Sequence, residues 1–368
     1  MNPVSHYVSD PSLASTVMPG AARVDNTDGQ LEFLKTTTSV SWRVEYQLIK
    51  RLGAGGQGVV YLAEKGGAEG LVLPVSLKFF SPDRYKDHGV YVEDMGRVAR
   101  IASKVAMIQQ DHILDVHNFV DFDGIRVMVM EWVDGFDLDY LTAAKTYARL
   151  RGDVPTDRWD YLNNVVVTMG NQKGRLQPGV AISVVSECLS ALASLHRNGI
   201  IHGDVKPANI MLKRTGSAKI IDIGSACEND DLRGLRPFTP QYAAPEVLEK
   251  GIVTPLSDLA SLGYVLVEML SGQSPFEGIK DYAPLIRAKQ NFAAELPHVL
   301  PLEIQQSKSL MELVTGLVSP EPEMRRRMEE AADELQLCAA EFQKELVAGN
   351  LASQYDMEIR LWLDDLAA

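Results

Sequence analysis

The chain has 368 residues, of which 46% are hydrophobic and 23% charged, the balance of a globular protein with a sizeable core. A formal net charge of -13 excludes a global basic footprint for nucleic acid or an anionic membrane, and it disfavours acidic substrates. The cysteines, Cys188, Cys227 and Cys338, show neither metal-ligand spacing nor an even disulfide set, which points to a reducing compartment. No basic-then-apolar leader pattern opens the sequence, and apolar runs such as Leu262 to Leu270 fall short of the ~20 residues a membrane helix needs. The expectation is a soluble cytoplasmic protein that binds neither nucleic acid nor membrane.

Residues 1–41 are rich in Ser, Thr, Pro, Asp and Gly and read as a flexible arm. Folded structure is expected from Trp42. Leu52-Gly53-Ala54-Gly55-Gly56-Gln57-Gly58-Val59-Val60-Tyr61 then places glycines in a G-x-G-x-x-G pattern between two runs of strand character. A strand through Val75-Ser76-Leu77-Lys78 follows, and Val90 to Ile108 reads as a helix whose only acids are Glu93 and Asp94. Val127 to Val133 is a further strand, running into the polar Asp134-Gly135 turn. From Leu141 to Pro178 the chain is long for a connection, and Trp159, Tyr161 and Leu162 within it want a surface to pack on.

The most informative stretch comes next. Val184, Val185, Cys188, Leu189, Leu192 and Leu195 mark a buried helix, and after it His202-Gly203-Asp204-Val205-Lys206-Pro207-Ala208-Asn209 packs an acid, a base and an amide into one loop. Lys219-Ile220-Ile221-Asp222-Ile223-Gly224 places a second acid at the end of an apolar strand. Phosphoryl transfer needs such parts: a cradle for phosphates, oxygen donors for Mg²⁺ and a group that orients the nucleophile. Singly these motifs are weak, since the glycines also suit a hairpin turn and the aspartates a cap. Thr239-Pro240-Gln241-Tyr242-Ala243-Ala244-Pro245-Glu246, Ser257 to Gly263 and Glu321 to Arg325 complete the series. No internal repeat is visible.

In that order the motifs resemble the eukaryotic-type (Hanks-type) Ser/Thr protein kinase family over about residues 42–337. The resemblance implies an α+β, two-lobed fold: an N-lobe over 42–130 with a small antiparallel sheet and the αC helix, a hinge at 131–135, and a larger, mainly helical C-lobe over 136–337. Within it lies an insert at about 142–178, and a C-terminal helical extension follows at 338–368. It implies Mg²⁺-ATP-dependent transfer of the γ-phosphoryl group to Ser/Thr hydroxyls of proteins, the activity of a non-specific serine/threonine protein kinase. Leu52, Gly53, Gly55, Gly58 and Val60 then line the nucleotide, and Lys78 holds the α- and β-phosphates. Glu131 and Val133 offer backbone groups to adenine behind Met130, and Asp137 reaches the ribose. Asp204 orients the acceptor hydroxyl, Lys206 and Thr239 serve the transferred phosphoryl and its acceptor, and Asn209 and Asp222 ligate Mg²⁺. Glu246 with Arg325 and Asp258 with the catalytic loop are implied structural pairs.

The departures carry expectations of their own. His202-Gly203-Asp204 lacks the Arg that reads a phosphorylated activation loop, and Ser225 is the only hydroxyl between Asp222 and Phe238, beside acids Glu228, Asp230 and Asp231. No phosphorylation switch is expected there. The helix acid that the family pairs with Lys78 falls near Arg97 or Val98, so Glu93, about a turn early, is the choice for that role. Antibiotic and choline phosphotransferases carry a similar His-Gly-Asp loop, which keeps a small-molecule acceptor as an alternative, and a pseudokinase scaffold that binds ATP or partners without transfer is another. The insert at 142–178 and the C-terminal helices, including Met357 to Leu363, are the candidate partner docks.

Overall fold

The computed structural model describes residues 44–229, 237–325 and 355–367. The expected arm at 1–41, and residues 338–354 of the extension, lie outside the described residues. Strands β1 (Tyr46–Gly55) and β2 (Gly58–Gly66) form a hairpin that closes at Gly55 and Gly58 around the Gly56-Gln57 turn. Strand β3 (Val72–Phe80) pairs with β2, setting Lys78 opposite Val60. Helix α1 (His88–Val105) starts at Asp87, whose carboxylate accepts from the Val90 N–H at 3.0 Å. Its inner face is Tyr91, Met95, Val98, Ile101, Ala102 and Val105, the spacing of one helical stripe.

Strands β4 (Val116–Phe122) and β5 (Ile125–Glu131) are joined by Asp123-Gly124, both at positive φ (48° and 86°), the backbone a tight right-twisted hairpin requires. The order β1-β2-β3-β5-β4 makes one antiparallel sheet. Its faces differ because side chains alternate along β5: Val127 and Val129 pack with Ala63, Val75 and Leu77 in a small separate cluster, while Met128 and Met130 join the main core. The chain leaves the sheet at Glu131 and becomes regular again at β6 (Gly135–Asp137).

Beyond β6 the structure is mainly helical. The run is α2 (Leu138–Thr142), α3 (Ala144–Asp153), α4 (Thr156–Val165), the β7 (Val167–Met169) and β8 (Gly174–Leu176) hairpin, and α5 (Pro178–Arg197). Short strands β9 (Ile200–Ile201), β10 (Ile210–Lys213), β11 (Ala218–Ile220) and β12 (Cys227–Glu228) carry the chemistry-bearing loops. β10 lies between β11 and β6, and β12 pairs with β9. Helices α6 (Pro245–Lys250), α7 (Pro255–Ser271), α8 (Tyr282–Val299), α9 (Leu302–Gln305), α10 (Lys308–Leu317) and α11 (Tyr355–Ala367) complete the described fold.

Helix α7 is the spine of this half. Thr254 and Ser257 form a reciprocal cap at its start, Gly272 ends it in the left-handed conformation, and every residue from Leu256 to Ser271 is buried. Helix α5, packed beside it, is by length and composition long and apolar enough to cross a membrane. Its unbroken apolar runs are short, as expected, because Ser183, Ser186, Glu187 and Ser190 interrupt them; it is the average composition over the helix that reaches the membrane range. Here it is a core helix: Val180, Ile182, Val184, Ala191, Leu192 and Leu195 have no exposed surface.

The insert and the last helix cover each other. Leu150, Leu162, Val166 and Val167 of the insert are buried, as are Ile359, Trp362, Leu363 and Leu366 of α11. Arg158 holds Asp365 at 2.8 Å, Tyr161 donates to Glu358 at 2.7 Å, and Arg149 donates to the Leu366 carbonyl at 2.8 Å. Tyr355 and Asp356 sit so close to Gly179 and Gly216 that neither position has room for a Cβ. The candidate dock on each element is thus occupied in part by the other.

Candidate active site

The glycine-rich hairpin is open where phosphates would need room and closed where the sheet demands it. A Cβ at Gly53 or Gly55 meets nothing within 4 Å, whereas Gly58, at φ +145°, lies against the Phe79 carbonyl of β3. Leu52 falls in a bulge of β1 and is exposed, and Val60 is half-buried opposite Lys78. At the hairpin tip Gln57 turns inward. Its Oε1 accepts from Lys78 at 2.6 Å and its Nε2 donates to Ser225 Oγ at 2.9 Å.

Lys78 Nζ also meets Asp222 Oδ1 at 2.5 Å. Asp222 adopts the left-handed conformation (φ 64°, ψ 82°) and starts the short turn Ile223–Ser225, with Oδ1 also accepting from the Gly224 N–H at 3.0 Å. Burial pushes its carboxyl up, but the charge and hydrogen bond of Lys78, the Gly224 N–H and nearby His202 outweigh this and hold it below the usual carboxylate range. Arg97 of α1 reaches the same turn, donating to the carbonyls of Gly224 (3.1 Å) and Ala226.

Between β9 and β10, Asp204 is held on both oxygens. Oδ1 accepts from the Thr239 N–H at 2.9 Å, and Oδ2 pairs with Lys206 Nζ at 2.7 Å. Lys206 also donates to Thr239 Oγ1 at 2.9 Å, so one cation bridges the acid and the segment that follows. Asn209 Nδ2 donates to the Asp204 carbonyl at 2.8 Å, which leaves Oδ1 as the oxygen with no partner among the described residues. His202 contacts the Ile221 carbonyl at 3.1 Å and the Ile221 N–H donates to the Asn209 carbonyl at 2.9 Å, tying this loop to the strand that delivers Asp222.

The loop's backbone is braced from below. Asp258 of α7, with 1% of its side chain exposed, accepts from the N–H groups of His202 and Gly203, both at 2.8 Å, and contacts His196 at 3.0 Å. Gly203 is at φ +76°, with the Ser225 carbonyl 3.2 Å from where a Cβ would stand. Arg325, wholly buried, pairs with Glu246 at 2.8 Å and donates to the Leu256 carbonyl at 2.8 Å. Lys289, equally buried, donates to the Gln241 carbonyl at 2.7 Å between the rings of Tyr264 and Phe276, each centred 4.0 Å away.

A family model described as the protein kinase domain matches residues 46–335. The chain belongs to the eukaryotic-type Ser/Thr protein kinase family. Similar proteins include serine/threonine-protein kinase PrkC of Bacillus subtilis (strain 168), 29% identical over 240 residues, which are 63% of this chain and 31% of the relative. Serine/threonine-protein kinase PknH of Mycobacterium tuberculosis (strain ATCC 25618 / H37Rv) is 32% identical over 235 residues, 63% of this chain and 32% of the relative. The probable serine/threonine-protein kinase PknB of Lactococcus lactis subsp. lactis (strain IL1403) is 28% identical over 275 residues, 73% of this chain and 38% of the relative. The chain spans about a third of the length of these curated relatives.

Within this kinase fold the structure brings Lys78, Asp204, Lys206, Asn209, Asp222 and Thr239 into two linked hydrogen-bonded sets. At the hinge, Met130 is buried, and Val133 is buried with an N–H that makes no hydrogen bond to the described residues. The Glu131 N–H donates to the Asp115 carbonyl at 3.0 Å, while its side chain, which has no part in the expected backbone role, pairs with Lys219 and accepts from the Asp115 N–H at 2.7 Å. Asp137 caps α2 through the Tyr140 N–H at 2.9 Å, and burial pushes its carboxyl up. Glu93 is not brought in. Its side chain is exposed on α1, and the helix meets the site through Arg97, one turn further on, so the choice of Glu93 as the partner of Lys78 is corrected. Gln57 and Arg97 are the site residues that sequence reasoning missed. The visible signal was the unusual Arg at the register where an acid was sought.

Proposed function

We propose that the chain transfers the γ-phosphoryl group of Mg²⁺-ATP to Ser/Thr hydroxyls of protein substrates. The observation that carries this reading is the Asp204–Lys206–Thr239 bridge. It fixes a carboxylate by both oxygens and sets a cation beside it, next to the segment where a peptide acceptor would lie. Asp204 orients the acceptor hydroxyl and takes its proton, while Lys206 offsets negative charge growing on the transferred group. Held by Thr239 and Lys206, the carboxylate needs no reorganisation to do so.

The nucleotide fits the open side of the glycine hairpin, with Gly53 and Gly55 leaving the backbone free to approach phosphates and the Val133 N–H free to meet adenine. For Mg²⁺ the donor set is one carboxylate, Asp222, and one amide oxygen, Asn209 Oδ1. Mg²⁺ takes much of its shell from phosphates and water, so two protein oxygens suffice. When bound, Mg²⁺ supplies neutralisation of phosphate charge. Lys78, already close to Asp222, supplies the cation for the α- and β-phosphates. We further propose a reducing, cytoplasmic setting, supported by Cys188, a buried thiol outside any disulfide.

The test is transfer of label from γ-labelled ATP by the wild type, Asp204→Asn and Lys78→Met, with protein and small alcohol or amine acceptors side by side. Label on protein Ser/Thr that disappears in both variants supports the reading. Label confined to small acceptors, or nucleotide binding with no transfer, overturns it.

A further inference from the structure

The described structure sets no carboxylate of α1 against Lys78, yet α1 is bonded to the metal-binding turn. Arg97, with 11% of its side chain exposed, makes those bonds. Its Nη2 donates to the Gly224 carbonyl at 3.1 Å and its Nη1 to the Ala226 carbonyl, while Nε pairs with Asp94 Oδ1 at 2.8 Å. Asp94 is itself fixed by the Tyr85 hydroxyl, which donates to Oδ2 at 2.6 Å. Two turns along α1, Lys104 meets Glu228 at 3.0 Å, so the helix grips the chain just after the same turn.

The bonded carbonyls belong to the turn that Asp222 opens in a left-handed conformation, one that a residue with a Cβ keeps only when its neighbours hold it. Gly224 links the two ends of this arrangement. Its carbonyl accepts from Arg97 and its N–H donates to Asp222 Oδ1. A planar guanidinium bridging two carbonyls fixes their orientation as well as their distance, which a single ammonium would not. On this turn Arg97 bonds the Gly224 and Ala226 carbonyls and not the Asp222 carboxylate, so its contribution is geometric.

We propose that Arg97 is the positioning residue that ties α1 to the Asp222 carboxylate. A cation on the backbone of the turn does here what a helix carboxylate on Lys78 would otherwise do. Movement of α1 away from the site would release the turn and with it Asp222, while Lys78 would keep Gln57 as a partner.

The proposal rests on the phosphoryl-transfer reading for one readout and not for the others. In the full chain, Arg97→Met is expected to lower kcat by about 10- to 100-fold and to raise the Mg²⁺ concentration for half-maximal rate, with a smaller change in KM for ATP. Arg97→Lys should recover part of the loss, and Asp94→Asn, which frees the guanidinium, should fall between. In metal- and nucleotide-free protein, amide exchange across 222–228 should be about tenfold faster in Arg97→Met, with strand 210–213 unchanged. Calorimetric titration of Mn²⁺ into the ADP-saturated protein should show weaker binding in the same order of variants. Wild-type exchange and wild-type Mn²⁺ binding in Arg97→Met would overturn the proposal, as would an equal loss in Glu93→Gln. If the wild type transfers no phosphoryl group, the functional reading fails, and exchange and Mn²⁺ binding still decide the role of Arg97. Should Arg97→Met not fold, Arg97→Lys and Asp94→Asn carry the same comparison.

Discussion

Two regions converge on Asp222, and they are built differently. On the large-lobe side, Asp204, Lys206, Asn209 and Thr239 bond to one another, and Asp258 braces their backbone from a fully buried helix. On the small-lobe side, Lys78 meets Asp222 as the motifs implied, but the contacts around that pair come from Gln57 at a hairpin tip and Arg97 on α1, which the motifs did not imply. Groups that exchange protons or oppose growing charge must have a given chemistry, so that side keeps its residue types. Groups that only set a distance can be replaced by any side chain that spans it, which is the latitude seen at Arg97.

The largest contrast is therefore expected in the rate. Asp204→Asn should lower kcat by about 10²- to 10⁴-fold with little change in nucleotide affinity, measured by steady-state kinetics and fluorescent-nucleotide binding. A comparable loss of nucleotide affinity would blur the division between the two sides. Next comes the brace. Arg325→Met takes from the largely buried Glu246 its paired cation and should destabilise the protein by about 3–5 kcal/mol in urea unfolding. Trp362→Ala, in the main core, should cost about as much through the cavity it leaves.

Smaller effects sharpen the comparison. Gly203→Ala keeps every catalytic side chain but forces a Cβ into the left-handed region near the Ser225 carbonyl, at about 1–2 kcal/mol. Lys289 gives a pH signature. Burial holds its pKa well below the ordinary 10.5, so the unfolded chain binds more protons than the folded one between the two values. Stability should therefore rise with pH across that window, and Lys289→Met should remove the slope. Smallest of all, Gln57→Ala removes two hydrogen bonds at a solvent-facing hairpin and should change KM for ATP only a few-fold, since each bond is worth about 0.5–1.5 kcal/mol.

What could be read from the amino acids follows the same division. The loop chemistry was legible because its residues lie within a few positions of one another, as Asp204, Lys206 and Asn209 do. Arg97 and Ala226 are 129 residues apart, and nothing local to α1 says which downstream backbone it will meet. Glu93 stands for the missing acid although it lies about a turn before the expected register, while the i, i+3 pair of Asp94 and Arg97 shows an arginine already braced for a task. The apolar stripe of α11 announced that it would be covered. Its cover, the insert some two hundred residues earlier, was set by Arg149, Arg158 and Tyr161 finding Leu366, Asp365 and Glu358.

That last contact bears on how the chain is made. Ile359, Trp362, Leu363 and Leu366 belong to the same core as α5 and α7, which are synthesised far earlier. The ribosome therefore releases the reactive loops, the brace and the insert before the residues that seal their lobe. Until 359–366 emerge, the insert presents an unfilled apolar seam to whatever waits outside the tunnel. The completed lobe thus waits on residues made long after the loops that carry its chemistry.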